Sequence, residues 1–495
     1  MTAGVTNRFD FTAPVPPADQ LGAVHFIAIG GSGMSGVARL FLAQDSTVSG
    51  SDAQDSPTLR ALAADGAQVH VGHDPAHLGQ ARTVVVSSAI RETNPELAHA
   101  RRAGLLVLHR AQAIAALLPG RDTVAVAGAN GKTTTSAMLT VALQAAGAAP
   151  AYVLGSEITG QGTNAAPGEG SAFVVEADES DGSFLAYRPQ VAVVTNITAD
   201  HLDFYGDLAT IERAFETFAG TIREGGLLVA GADDPGAGRL AGRVAAQGRR
   251  VVTFGTGAEA DLHLGGFTAD GMRSSARLTW RRPLADMPEG TTRTLVVPMP
   301  GRHNLLNAAA ALLAATAGLG PDVDAVLAGL AAFPGTHRRF EPVGTAAGVR
   351  VVDDYAHNPD KVAAAVQAGR ALITGGERLV VLFQPHLYSR TAGFAAQFAA
   401  ALTAADVVVL LEVYAAREDP VPGVTGALVA DALAQRPDFA GTVRFVPDRA
   451  TVLPALVGLL RAGDLVLTLG AGDVTELGPQ LLAALREQLP GGGAA

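Results

Sequence analysis

The densest set of chemistry-bearing residues is Gly128-Ala129-Asn130-Gly131-Lys132-Thr133-Thr134. Glycines free backbone N–H groups to face an anion, a lysine can reach outer phosphates, and a hydroxyl can hold Mg²⁺. The general pattern G-x-x-x-x-G-K-[ST] asks for a glycine where this chain has Val126, and Gly128 makes the shorter G-x-x-G-K-T-T. This loop is expected to hold a nucleoside triphosphate. Downstream, Glu176-Ala177-Asp178-Glu179-Ser180-Asp181 places four carboxylates in six residues. Oxygen ligands beside phosphates suit Mg²⁺. His201 closes a second polar run, Asn196-Ile197-Thr198-Ala199-Asp200-His201. Near the start, Gly31, Gly33 and Gly36 satisfy G-x-G-x-x-G, and Asp52 follows at the distance of a ribose-binding acid. That turn accepts any diphosphate ligand, NAD among them. His357, His386, Arg390 and Arg339 could bind anionic groups.

Each of these sets follows an apolar, strand-like run. Residues 123–127 lead into the phosphate loop, and a helix is expected over 136–146. Strands at 172–175 and 191–195 precede the acidic run and the histidine cluster. Residues 23–29 precede the first glycine turn, and 349–352 and 379–383 precede the later histidines. In α/β sheets, ligands bind at the carboxyl ends of strands. The pattern therefore predicts three α/β units: residues 21–119 doubly wound, 120–335 around the phosphate loop with antiparallel strands appended over 258–299, and 336–490. Residues 1–20 read as a loosely ordered lead-in and 491–495 as a frayed tail.

Composition bounds the function. The chain has 495 residues, a length that suggests about three domains. A net charge of −11 argues against a broad nucleic-acid or anionic-membrane surface. With no cysteine, disulfides, thiolate zinc sites and thiol catalysis are excluded. The N-terminus lacks a signal-peptide pattern, and no apolar run reaches the ~18–20 residues of a membrane helix, so a cytoplasmic protein is expected. No Ser-His-Asp nucleophile set is evident. The residues alone point to an ATP-using enzyme with a second nucleotide-like or phosphorylated ligand.

Ten ordered motifs carry a resemblance: GGSGMSG, GANGKTTT, GTNA at 162–165, EADESDGSF, NITADHLD, GRHNLLNA, RRFE, DDYAHNP, FQPHLYSRT and GAGD at 470–473. With these, the chain resembles the Mur ligases over about residues 22–479. The resemblance implies an N-terminal Rossmann-like UDP-binding domain, a central P-loop ATPase-like domain and a C-terminal Rossmann-like domain. It implies an ATP- and Mg²⁺-dependent carboxylate–amine ligase of peptidoglycan synthesis, acting through an acyl phosphate. FQPHLYSRT and GGSGMSG point to the branch that joins L-alanine to UDP-N-acetylmuramate.

By position, the resemblance implies ATP binding by Gly128 through Thr134, with Asn307 at adenine and Asp354 at the ribose. It implies Lys132 at the β/γ-phosphates, Arg339 at the γ-phosphate, Thr133 and Glu176 on Mg²⁺, and His201 at a second Mg²⁺. Gly31, Ser32 and Gly33 would face the UDP diphosphate, with Asp52, Ser88 and Asn164 on the UDP-sugar. Tyr355, His386 and Arg390 would form the L-alanine pocket. Ala129, Asn130, Ala356 and Asn358 depart from the usual family residues, and no carbamylated lysine is expected. A murein-peptide recycling ligase is the alternative within the family, and an NAD-dependent oxidoreductase the alternative from another class. A monomer and a homodimer are both compatible with the sequence.

Overall fold

The computed structural model describes residues 8–416 and 418–488. Its strands form three sheets. The first holds β1 (Val24–Ile27), β2 (Val48–Asp52), β3 (Gln68–Val71), β4 (Thr83–Val86) and β5 (Leu106–His109), in the order β3-β2-β1-β4-β5. All its pairings are parallel. The order reverses between β1 and β4, and the first glycine turn leaves β1 at that crevice.

The second sheet holds β6 (Asp122–Ala127), β7 (Ala151–Val153), β8 (Ala165–Ala166), β9 (Ala172–Glu176), β10 (Val191–Val194), β11 (Leu227–Gly231), β12 (Arg250–Gly255), β13 (Leu262–Asp270), β14 (Arg273–Trp280) and β15 (Thr292–Val297). Its order is β15-β14-β13-β12-β11-β10-β6-β9-β7-β8. The phosphate loop leaves β6, between β10 and β9. The strands expected over 258–299 are present, but β13 joins β12 in parallel. Between β13 and β14 a two-residue connection permits only antiparallel pairing.

The third sheet holds β16 (Glu341–Ala346), β17 (Val349–Asp354), β18 (Leu379–Phe383), β19 (Val407–Leu410), β20 (Thr442–Phe445) and β21 (Leu465–Leu469), ordered β16-β17-β21-β18-β19-β20. Only β16 is antiparallel to its neighbour.

The chain packs as two compact units. The first two sheets share one, and the third sheet anchors the other, with Pro334 and Gly335 on either side of the division. One buried apolar cluster explains the first unit: it runs from Phe26 and Phe41 through Leu117 and Leu118 to Phe173, Phe184 and Phe215. Within the expected lead-in, Phe9, Phe11 and Ala18 are buried in that same cluster, because aromatic rings gain more from burial than from water, while most of residues 8–20 are exposed. Residues 1–7 and the expected frayed tail lie outside the described residues.

Candidate active site

β6 is buried along residues 123–127, and its chain must turn sharply to feed the helix Lys132–Ala145. Two glycines make the turn. Gly128 has φ 136° and Gly131 has φ 88°, both costly for residues with a Cβ. A Cβ on Gly128 would collide with the Thr195 hydroxyl, and one on Gly131 with the Asn307 carboxamide oxygen. β10 lies beside β6, with Val194 opposite Ala127, so the residues after both strands meet. There Asn196 accepts from the Asn130 N–H at 2.9 Å. Thr195 and Asn196 side chains donate to the Asn130 carbonyl at 2.6 and 2.9 Å.

β9 flanks β6 on the other side, with Glu176 opposite Val126. Thr133 therefore donates to Glu176 at 3.0 Å, and Glu176 also accepts from the Gly155 N–H at 2.7 Å. Lys132 donates to the Gly128 carbonyl and to Glu179, each at 2.8 Å. Burial opposes the lysine's charge, but Glu179, Asp178 and Glu176 outweigh it and hold its pKa above the ordinary value. Glu179 is pushed up by burial and by Asp178, against the pull of Lys132. Asp178 ends below its usual value: burial opposes its charge, but Lys132 and the donors of Ser180 favour it. Lys132 is thus a permanent cation whose present counter-ion a phosphate group could replace.

Among the other expected residues of this loop, Ala129 and Thr134 are buried. Asn307, from the helix Arg302–Leu319, is buried against Gly131 and donates to Asn304 at 3.4 Å. His201 sits in the left-handed region, φ 53°. Tyr205, one helical turn on, donates to the Glu179 carbonyl, which ties the histidine cluster to the acidic loop. Among the described residues, no three His, Asp or Glu side chains converge closely enough to cage a metal ion.

The expected UDP-sugar residues fall into two groups. Gly31, Ser32 and Gly33 line the first turn. Asn164 reaches it from the central domain, donating to the Ser32 carbonyl at 3.2 Å. Asp52 braces the turn by accepting from the Gly30 N–H at 2.9 Å. The Arg110 guanidinium covers Gly33 so closely that a Cβ there would overlap it. Ser88 stands apart and donates to Asp181 at 2.5 Å.

In the other unit, β17, β21 and β18 end side by side and gather the later polar residues. Asp354 is pushed up to about 6 by burial, against Arg339, and accepts from the Phe340 N–H at 2.8 Å. Arg339 lies over the Tyr355 ring at 5.2 Å. His357 packs on Tyr355 and His386 at ring distances of 5.1 and 5.9 Å. Burial holds His357 well below its ordinary value. Arg390 donates to His386 at 3.3 Å, and Tyr414 stacks on that histidine at a ring distance of 6.0 Å. Tyr355, His386 and Arg390 therefore belong to one cluster.

Sequence reasoning missed the roles of Glu179, Thr195, Asn196, Arg110 and Tyr414. Glu179 and Asn196 lay inside runs already noticed, but a run of acids does not say which one faces the lysine. Arg110 and Tyr414 carry no local signal, because strand order alone brings them to their sites.

A glycine cradle around a buried lysine, at the carboxyl end of a central strand, defines an α/β protein of the phosphate-loop class. Three family models match consecutive regions: Mur ligase family, catalytic domain, over residues 23–121; Mur ligase middle domain over 126–315; and Mur ligase, glutamate ligase domain, over 338–472. The chain is 54% identical to the UDP-N-acetylmuramate–L-alanine ligase of Kineococcus radiotolerans, over 96% of this chain and 99% of the relative. It is 51% identical to the enzyme of that name from Thermobifida fusca, over 96% and 98%. The crystal structure of UDP-N-acetylmuramate–alanine ligase from Thermotoga maritima superposes with a TM-score of 0.77 at 28% identity, covering 94% of this chain and all of that one. The chain belongs to the Mur ligase family.

Proposed function

We propose that this chain is an ATP-dependent ligase that joins the carboxylate of UDP-N-acetylmuramate to the amine of L-alanine in peptidoglycan precursor synthesis. The observation that carries the reading is the buried Lys132 in its glycine cradle, facing Glu179, in a chain 54% and 51% identical to ligases of that name.

The donor set fits a triphosphate: a buried lysine held to Glu179 and a hydroxyl held to Glu176 stand at the start of a helix whose glycine turn packs against Thr195 and Asn307. MgATP bound there supplies the phosphoryl group that makes the muramoyl carboxylate an acyl phosphate. Lys132 neutralises phosphate charge, and the loop backbone from Gly128 to Thr134 donates its N–H groups. Thr133 and Glu176 would hold Mg²⁺, which would neutralise phosphate charge beside Lys132. His201 serves a second Mg²⁺. Asn307 takes the adenine, Asp354 the ribose and Arg339 the γ-phosphate.

Gly31, Ser32 and Gly33 hold the UDP diphosphate, with Arg110 as the missing cation, and Asp52, Ser88 and Asn164 contact the UDP-sugar. Tyr355, His386 and Arg390 bind L-alanine, with the arginine fork on its carboxylate. The residue boundaries 119/120 and 335/336 separate the three domains. The reading places the enzyme in the cytoplasm, and among the described residues no helix is long and apolar enough to cross a membrane. Phosphate release should require ATP, UDP-N-acetylmuramate and L-alanine together. Equal turnover with a murein tripeptide, or dependence on NAD, would sink the reading.

A further inference from the structure

We propose that His109 is a positioning residue for the acidic loop, acting through Ser88 on Asp181, and that the strap at residues 8–12 keeps it so. The inference rests on the ligase reading, because it takes residues 176–181 as part of the active site.

His109 ends β5 and is 2% exposed. Its Nδ1 accepts from the Ala111 N–H at 3.2 Å, and Gln112 accepts from the His109 N–H at 3.0 Å, a reciprocal cap on the helix Arg110–Ala116. With Nδ1 an acceptor, the neutral ring carries its hydrogen on Nε2. That N–H faces Ser88 Oγ at 3.1 Å, so the serine hydroxyl points its own hydrogen at Asp181 Oδ2. Asp181 Oδ1 accepts from the Ser183 N–H at 3.0 Å. One oxygen is thus fixed within its own loop and the other by the first domain. The three residues of a hydrolase triad are present, but their polarity is reversed: this histidine donates to the serine and cannot take its proton.

The Ala111 N–H sets the polarity, and the strap keeps the ring neutral so that Nδ1 can go on accepting. Phe9 and Phe11 stand 5.4 and 5.1 Å from the His109 ring. Gln112 donates to the Asp10 carbonyl at 3.1 Å, and Arg188 to the Thr12 carbonyl at 2.9 Å. Arg8 pairs with Glu92 at 2.7 Å. Burial pulls His109 down to about 4; Asp181 and Asp178 oppose this, and Arg110 and Arg8 add to it. A neutral ring keeps Nδ1 as the acceptor of the Ala111 N–H, and a protonated ring would lose that bond and the ring position it fixes. β9 pairing already fixes Glu176, whereas the loop held at Asp181 sends Glu179 to Lys132. A shift at Asp181 is therefore transmitted to the lysine's partner.

Two substitutions separate positioning from capping. His109→Asn keeps a short N-cap acceptor but has no N–H at the reach of Nε2. His109→Gln restores that N–H and caps poorly. His109→Asn should melt near wild type yet lose about 10–100-fold in kcat, with KM for L-alanine within about twofold. His109→Gln should melt lower and keep kcat within a few-fold of wild type. If kcat follows melting temperature in both variants, His109 is only a helix cap and the proposal falls. An inactive wild type would instead overturn the ligase reading. The double variant Phe9→Ala/Phe11→Ala admits water, so His109 should rise toward 6.5 and add an acid limb to kcat between about 4 and 6.5. An unchanged acid limb would remove the strap from the proposal.

Discussion

Two glycine turns leave central strands of the first unit, β1 and β6, each at the point where the strand order reverses. They solve the same problem differently. The first begins its helix from Gly31 in extended backbone, φ −63°, which any residue adopts, and the nearest atom to a Cβ there is the Ala28 carbonyl at 3.3 Å. Its cation, Arg110, comes from a distant part of the chain. The second turns through the left-handed region at Gly131 and carries its own cation as the next residue. Glu179 pairs with that cation, and Asp178 and Glu176 add to the field that keeps it charged. The difference teaches that topology places a glycine turn at the carboxyl end of a strand, whereas only the second turn carries its own buried cation and facing carboxylate.

The comparison breaks most visibly at Lys132. Lys132→Ala should reduce phosphate release by about 10³-fold, since a preorganised charge facing the reacting phosphate is lost. UDP-sugar affinity, measured by titration calorimetry, should persist because Arg110 and the first turn are untouched. Equal loss of both would end the division of labour between the turns.

A smaller effect sharpens the backbone contrast. Gly128→Ala forces a Cβ into φ 136° and onto Thr195, and should cost about 2–3 kcal/mol in chemical denaturation. Gly31→Ala should cost under about 1 kcal/mol in the same assay. Similar losses at both would contradict the difference in backbone conformation.

The smallest effect concerns acid. Behind the first turn, Glu96 is fully buried and accepts from Ser51 at 2.6 Å, with His73 and His77 at 3.1 and 3.2 Å. Burial opposes its charge, but His25, Ser51 and His73 win and hold it at about 2 against an ordinary 4.5. The folded-state value is depressed, so this stabilisation is complete above pH 4.5 and disappears as pH falls toward 2. Glu96→Gln should lower stability at pH 7 by about 2 kcal/mol and flatten the acid limb between those values. An unchanged acid limb would show that the cluster does not support the first turn.

Much of the site was legible because it is local. Gly128 to Thr134, the acids at 176–181 and the glycines at 31–36 each lie on one short stretch after an apolar strand. Strand-turn-helix geometry alone aims such stretches at a ligand. The motif order identified the family, and three α/β units followed from alternating strand and helix patterns. Other features were not legible, because they depend on which strands are neighbours. Pairing β6 with β10 and β9 made Asn196 the clamp of the phosphate loop and Glu176 the partner of Thr133. The burial of Phe9 and Phe11 against the first unit's core was another such feature. Residue types and spacing determined that phosphate chemistry is done here. Only the tertiary structure decided that Lys132 faces Glu179, that Arg110 covers Gly33, and that His109 directs Ser88 toward Asp181. Direction and charge state are properties of neighbours in space, set by burial and hydrogen bonding between strands far apart in the chain.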